Sequence, residues 1–313
     1  MNTKAQTFPD TAEIQTCDIP VDSFRIEPFT MVIFGGAGDL SRRKLLPTIY
    51  NLFRQKELPD DFAIVGCGMP EMKNEEYRKL AVTALEEFGS EESDRKNRDE
   101  FTKHLCYLGG EFDDAGLYPR LNRELNRLGD RRKKGRRHVI YYMAVPPRFT
   151  PDIIKHLAEN QLCREKFDSK IIIEKPFGRD RDSALRLNRI IEESFDENQI
   201  YRIDHYLGKE TVQNIIFFRF SNSIFEPLWN RRYIDNIQIT VAESIGIGHR
   251  GAFYENAGVV RDIVQNHLLQ LVALTAMEPP VGFEPDYIRD EKVKIFRSLR
   301  VVEKEKIDDF AVR

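Results

Sequence analysis

The chain has 313 residues, a length that predicts about two domains and a core large enough to fold without disulfides or a structural metal. Hydrophobic residues make up 41% and charged residues 32%, which excludes a globally disordered chain. Acids number 51 against 48 bases, a net charge of -3, so no overall cationic field recruits nucleic acid or a membrane surface.

Residues 1–27 are polar and without a period, and read as a mobile arm. Phe29–Phe34 is a short apolar run ending in Gly35-Gly36-Ala37-Gly38, with Leu45, Ile49, Leu52 and Phe53 following at helical spacing: strand, glycine turn, helix. Phe62–Val65 is a second strand, closed by Gly66 and Gly68, and Glu75–Phe88 an amphipathic helix. His104–Leu108 is a third strand, and Leu117, Leu121, Leu125 and Leu128 form a helical stripe. His138–Val145 is a strand stopped by Pro146-Pro147; then come helix Ile153–Leu162, strand Lys170–Ile173 and helix Asp182–Phe195. Nearly continuous apolar strands alternating with helices predict an α/β, doubly wound Rossmann-type parallel sheet over residues 28–199, with its ligand crevice at the carboxyl ends of the strands. From about Ile200 the alternation stops. Gln213–Phe220 is helix-like, Ile234–Ala242 a β-branched strand and Gly258–Met277 a long helical pattern, so residues 200–313 predict an α+β second domain whose sheet is incomplete.

No apolar stretch reaches about 18 residues, the length of a membrane span, and the first residues carry no secretory pattern. A cytoplasmic location is the expectation. Cys17, Cys67, Cys106 and Cys163 show no metal-clip or disulfide spacing and are expected to be reduced, mostly buried thiols; no metal site is expected. The basic run Arg131–Arg137 has no interleaved aromatic and reads as a solvated loop, with a polyanion-binding patch as the alternative.

Four segments carry chemistry. In VIFGGAGDLSRRK, Gly35 lets the chain turn sharply out of the strand and Gly38 lets a pyrophosphate approach the backbone at a helix N-terminus; Arg42, Arg43 and Lys44 stand beside that site. In IIIEKPFGRD, Lys175 lies where a strand end meets the crevice, either as a functional group or as a capping lysine before Pro176. In YRIDHYLGKE, His205 and Lys209 are spaced to clamp a dianionic phosphate monoester from one helical turn, or form a surface hydrogen-bonding patch. In GVVRDIVQNHLLQL, Asp262 and Asn266 share one helical face and His267 sits beside it; His267 is either a satisfied core histidine or, with Asp204 as partner, a general base.

Together, GDLSRRKLLP, EKPFGRD, RIDHYLGKE, FEPLWNRRYIDNIQIT and RDIVQNHLLQLVALTAMEPP resemble the glucose-6-phosphate dehydrogenase family in order and spacing over residues 28–313. The resemblance implies oxidation of β-D-glucose 6-phosphate to 6-phosphogluconolactone, with hydride passing to a nicotinamide coenzyme. It implies His267 as general base, Asp204 as its orienting acid, and His205, Tyr206 and Lys209 on the substrate phosphate. It places Glu243 and Asp262 on sugar hydroxyls, and Lys175, before a cis Pro176, between sugar and nicotinamide. Gly35, Gly38, Asp39, Leu40, Arg42, Arg43 and Lys44 would hold the coenzyme.

Two departures follow. Family members that favour NADP carry Ser or Thr where this chain has Ala37, and Arg where it has Met69. NADP therefore remains the family default while NAD becomes a second expected coenzyme. Family chains also continue well past the equivalent of Arg313, so the expectation is a C-terminally shortened chain, poorly soluble or inactive alone, and a homo-oligomer when the second domain is complete. The competing readings are a sugar oxidoreductase of the glucose–fructose oxidoreductase type, and a nucleotide-binding or regulatory copy without turnover.

Overall fold

The computed structural model describes residues 26–89, 95–130, 138–163, 168–178, 180–242, 251, 258–301 and 303–307. Cys17, the run 131–137 and Glu243 lie outside the described residues.

Six parallel strands form one sheet. They are β1 (Phe29–Phe34), β2 (Ala63–Gly68), β3 (Leu105–Gly109), β4 (His138–Met143), β5 (Asp168–Ile173) and β6 (Ile200–Arg202), in the order β3-β2-β1-β4-β5-β6. Register is continuous across the centre: Val32 pairs with Val65 on one side and Tyr141 on the other. The strand order reverses between β1 and β4, and such a switch point opens a crevice above the strand ends. Helices α1 (Leu46–Arg54), α2 (Asn74–Phe88) and α3 (Arg95–Thr102) cover one face of β1–β3. Helices α4 (Leu117–Asp130), α5 (Thr150–Glu159) and α6 (Arg181–Ser194) cover the other face.

The sequence pattern explains these elements. The predicted stripe of α4 is the buried one, with Leu117, Leu121 and Leu125 at most 2% exposed. Helix α2 starts on a reciprocal pair of bonds, with Glu76 accepting from the Lys73 N–H at 2.7 Å, and buries Tyr77, Ala81, Ala84 and Leu85. Asp180 caps α6 by accepting from Ser183 N–H at 2.8 Å. Cys67, Cys106 and Cys163 are buried and form no disulfide; burial pushes the Cys106 thiol up to about 12, and Cys67 higher still, which makes both inert at neutral pH.

Three features differ from the sequence reading. The alternation continues past Ile200, because β6 adds to the edge of β5 through Ile171–Ile200 pairing; at three residues it is too short to show a period. Helix α3 was not predicted, since its exposed face is almost wholly charged and only Phe101 and Thr102 are buried. Residues 234–242 belong to no strand. Their β-branched alternation favours an extended backbone, yet a strand also needs a neighbour to pair with, and none exists among the described residues. Ile239 and Val241 instead lean on a second cluster.

That cluster joins α7 (Glu210–Phe220), α8 (Leu269–Ala276) and α9 (Pro285–Ser298) through Val212, Leu271, Leu274, Met277, Ile288 and Ile295. Arg219, 5% exposed, donates to the Leu274 and Met277 carbonyls at 2.8 Å each, and Trp229 Nε1 donates to Thr275 O at 2.8 Å. These donors satisfy the carbonyls that the last turn of a helix leaves unpaired. No helix of the described residues is long and apolar enough to cross a membrane.

Two stability effects follow. Arg219→Met is expected to strand the Leu274 and Met277 carbonyls and to lower unfolding free energy by about 2–4 kcal/mol in urea titrations. Gly35 has φ +87°, and a Cβ there would meet the Ala144 carbonyl oxygen. Gly35→Ala is therefore expected to cost at least about 2 kcal/mol by the same measurement, with or without coenzyme.

Candidate active site

The site assembles from three chain ends at the crevice. Beyond β5, the chain leaves the sheet as Glu174-Lys175-Pro176, and the Lys175–Pro176 peptide is cis, as the resemblance implies. The Tyr142 hydroxyl of β4 donates to Glu174 Oε1 and fixes the start of this turn. Beyond β6, Asp204 caps the single turn His205–Gly208 by accepting from Tyr206 N–H at 3.0 Å. The third contributor is the segment Val260–Leu268, which leads into α8 and winds as a π-helix.

The winding matters. In an ordinary α-helix Asp262 and Asn266 share a face, as the sequence reading has it. A π-helix winds more widely, with i to i+5 hydrogen bonds, and so brings His267 round toward the side of Asp262, while Asp262 and Asn266 still line one cavity. Asn266 turns back to donate to the Arg261 carbonyl at 3.0 Å. Lys175 Nζ bridges the pair that the winding creates, 2.9 Å from Asp262 Oδ1 and 2.6 Å from His267 Nε2.

His267 is 1% exposed. Its Nδ1 faces Asp204 Oδ1 at 2.7 Å. A carboxylate is acceptor-only, so Nδ1 carries the proton and Nε2 presents its lone pair, here accepting from the Lys175 ammonium. The Tyr206 ring stacks on the imidazole at 3.8 Å between centroids and 18° between planes, and His205 meets it edge-on at 4.7 Å. Lys209 Nζ lies 3.6 Å from the centre of the Tyr206 ring. Burial pushes the His267 pKa below its ordinary value, and the Lys175 charge adds to this; Asp204 acts in the opposite sense. The result is a buried, neutral, oriented imidazole. Asp204, His205 and His267 offer ligand atoms within 4.8 Å of one another, but both nitrogens of His267 are already engaged and account for the grouping.

Lys175, Asp204, His205, Tyr206, Lys209, Asp262 and His267 thus converge, although they come from three distant stretches of sequence. A cavity of about 1270 Å³ opens from Lys175 and Asp262 toward Pro146, Arg148, Phe177 and Arg261. Sequence reasoning did not single out Arg148 or Glu174; the Pro146-Pro147 stop at the end of β4 was the available signal for the first, and adjacency to Lys175 for the second.

The glycine turn lies at the switch point. Gly35 and Gly36 N–H both donate to Cys67 O, at 2.8 and 3.2 Å, and a Cβ at Gly36 would come within 2.5 Å of Gly66 Cα. Tyr77 backs the turn, its hydroxyl donating to Gly36 O at 3.3 Å. This backbone-lined cradle, leading into the helical turn Ser41–Leu45, fits a dinucleotide pyrophosphate. Leu40 lies at the start of that helical turn and Lys44 is exposed on it. Arg42 stands 3.9 Å from Glu87, and Arg43 pairs with Asp39 at 3.1 Å and lies over the Phe88 ring. Met69 is 53% exposed just beyond β2.

Comparison with known proteins agrees with this fold. Residues 32–214 match the family model "Glucose-6-phosphate dehydrogenase, NAD binding domain", and residues 216–313 match "Glucose-6-phosphate dehydrogenase, C-terminal domain". A glucose-6-phosphate 1-dehydrogenase of Bacillus subtilis (strain 168) is 45% identical over 283 residues, covering 90% of this chain and 57% of the relative. One from Chlamydia pneumoniae is 45% identical over 277 residues, covering 87% of this chain and 54% of the relative. The chain therefore spans little more than half the length of the curated relatives it matches. Among solved structures, a glucose-6-phosphate dehydrogenase in complex with its substrate glucose-6-phosphate superposes with a TM-score of 0.82 at 33% identity, over 89% of this chain and 57% of that one. A glucose-6-phosphate 1-dehydrogenase from Mycobacterium avium gives 0.78 at 37% identity, over 88% and 59%. On sequence and structure alike, the chain belongs to the glucose-6-phosphate dehydrogenase family.

Proposed function

We propose that this chain carries the catalytic groups for oxidising β-D-glucose 6-phosphate to 6-phosphogluconolactone. The observation that supports this most is the hydrogen-bonded series Lys175–His267–Asp204, a buried base already oriented and already facing a proton donor. In this reading the anomeric hydroxyl takes the place of the Lys175 ammonium at His267 Nε2, and Nε2 accepts its proton. The anomeric carbon loses a hydride in the same event, so the carbinol becomes the lactone carbonyl. A bound nicotinamide dinucleotide supplies the acceptor for that hydride. Asp204 stabilises the imidazolium that forms and prevents the ring from turning. Lys175, displaced from Nε2, remains beside the reacting oxygen, and Asp262 holds a sugar hydroxyl together with Glu243.

His205, Tyr206 and Lys209 bind the phosphate at the far end of the substrate. Anchoring a remote dianion puts binding energy into positioning the anomeric carbon, where a fraction of an ångström governs the rate. This phosphate group of residues favours the present reading over a sugar oxidoreductase acting on free sugars. Self-association and a cytoplasmic location complete the reading; Ile224 and Tyr233, 70% and 66% exposed on the second region, are apolar groups that an interface would cover.

NADP and NAD are both coenzymes in this reading, with the preference for NADP weakened. A ribose 2′-phosphate calls for hydroxyl and guanidinium donors, and Ala37 and Met69 supply neither. Arg42 and Arg43 both stand beside acids, which offset the charge they would offer it.

His267→Asn is expected to lower kcat with glucose 6-phosphate by about a thousandfold while leaving coenzyme affinity unchanged. In the native chain, kcat/KM on the acid side is expected to stay high to below pH 6.5, because the base is neutral there. Retained turnover in the variant would overturn the assignment; coenzyme binding without turnover in the native chain would favour the nucleotide-binding alternative. The double substitution Ala37→Ser, Met69→Arg is expected to raise the NADP-to-NAD ratio of kcat/KM by about tenfold or more, as charge-assisted bonds to the 2′-phosphate form.

A further inference from the structure

The carboxyl ends of β2 and β3 meet beside the glycine turn. Gly68, the last residue of β2, pairs with Gly109 of β3, and its carbonyl accepts from Gly110 N–H at 3.1 Å and from the Tyr107 hydroxyl at 2.8 Å. A Cβ at Gly68 would lie 3.7 Å from Gly35 N, so this strand end borders the cradle. Glu71 crosses the same place. A Cβ at Gly109 would meet its Cα, Cγ and Cβ at 2.7, 2.9 and 3.0 Å, so the absence of a side chain there seats Glu71 on the end of β3. Glu71 is exposed, and among the described residues no cation pairs with it. The charge of the two connections is one-sided. Residues 69–73 and 110–116 carry Glu71, Glu111, Asp113 and Asp114 against the single base Lys73. Arg120 of α4 reaches the same strand end, but its Nη2 is committed to Gly109 O at 2.6 Å.

We infer that Glu71 sets the choice of coenzyme: its carboxylate accepts from the ribose hydroxyls of NAD and opposes the 2′-phosphate of NADP. This rests on the reading above, in which the nicotinamide stands beside Lys175 and His267 and the pyrophosphate at the glycine turn. A dinucleotide so placed runs from the β5–β6 half of the crevice across β1. Its adenosine ribose then falls at the ends of β2 and β3, where Glu71 sits. A hydroxyl can donate and a carboxylate accepts, so the two are complementary. A 2′-phosphate brings a charge of about −1.5 to −2 and acceptor oxygens, which the same carboxylate repels. Ala37 and Met69 only withhold donors from that phosphate. Glu71 goes further, since it adds a like charge against the phosphate and a partner for the hydroxyl that replaces it. A site that separates two ligands differing in one group uses repulsion of this kind as well as attraction.

The test is calorimetric titration of the native chain, Glu71→Gln and Glu71→Asp with NAD and with NADP. The native chain is expected to bind NAD at least as tightly as NADP. Glu71→Gln removes the charge at nearly constant shape. It is expected to tighten NADP and weaken NAD, lowering the ratio Kd(NADP)/Kd(NAD) by about tenfold. Glu71→Asp keeps the charge and is expected to stay within about threefold of the native ratio. A glutamate that only packs on Gly109 would shift both affinities together. A ratio that stays constant in Glu71→Gln, or that falls as far in Glu71→Asp, would therefore overturn the inference, as would a native chain that prefers NADP. Should Glu71→Gln fail to fold, Glu71→Ser removes the same charge and is read in the same way. The titration needs no turnover, so a chain with the expected ratio and no activity would count against the proposed reaction and not against Glu71. Binding of neither coenzyme by the native chain would overturn both.

Discussion

A buried imidazole held between an anion and a cation sets the terms for the rest of this structure. Taken out of water, His267 loses most of the solvation that would stabilise its charged form, and the neighbouring ammonium of Lys175 discourages protonation further. Asp204 pulls the other way and, in doing so, fixes which nitrogen is free. The balance yields a base that is neutral, aimed and shielded, and each of the three partners must arrive with a precision that only a rigid scaffold gives.

The scaffold supplies that precision by bringing three chain exits to one place. Lys175 emerges from β5, Asp204 from β6, and parallel neighbours deliver their carboxyl ends to the same edge. His267 comes from outside the sheet, on a segment continuous with α8, whose far end Arg219 and Trp229 tie down through its terminal carbonyls. The glycine turn at the switch point is held just as firmly, by paired bonds to Cys67 O and by the Tyr77 hydroxyl behind it. The glycine cradle and the two partners of the imidazole, Lys175 and Asp204, therefore rest on one sheet, while His205, Tyr206 and Lys209 rest on the turn that Asp204 itself begins.

Much of this was legible in the sequence for identifiable reasons. Strands β1 to β5 announce themselves as apolar runs ended by glycine or proline, and α4 by four leucines at helical spacing. The candidate site residues stand out because they are chemically conspicuous: a histidine inside an apolar stripe, and an acid, an imidazole, a phenol and an ammonium packed into six positions. What stayed hidden is what depends on partners. Strand β6 exists because β5 offers it an edge, and residues 234–242 fail to become a strand because no edge is offered among the described residues. Helix α3 is held by Phe101 against surfaces that its charged sequence does not suggest. The bridging of Asp262 and His267 by Lys175 was invisible to a reading that assumed ordinary helical spacing.

The wide winding of residues 260–268 also bears on how this segment can change over time. Because this winding is what brings the carboxylate and the imidazole, five positions apart, toward the same side, the stretch between them is a spacer of set length. Replacing its outward side chains leaves the spacing alone. Gaining or losing one residue would swing the ring off its partners, so natural variation here should run through substitution and almost never through insertion or deletion.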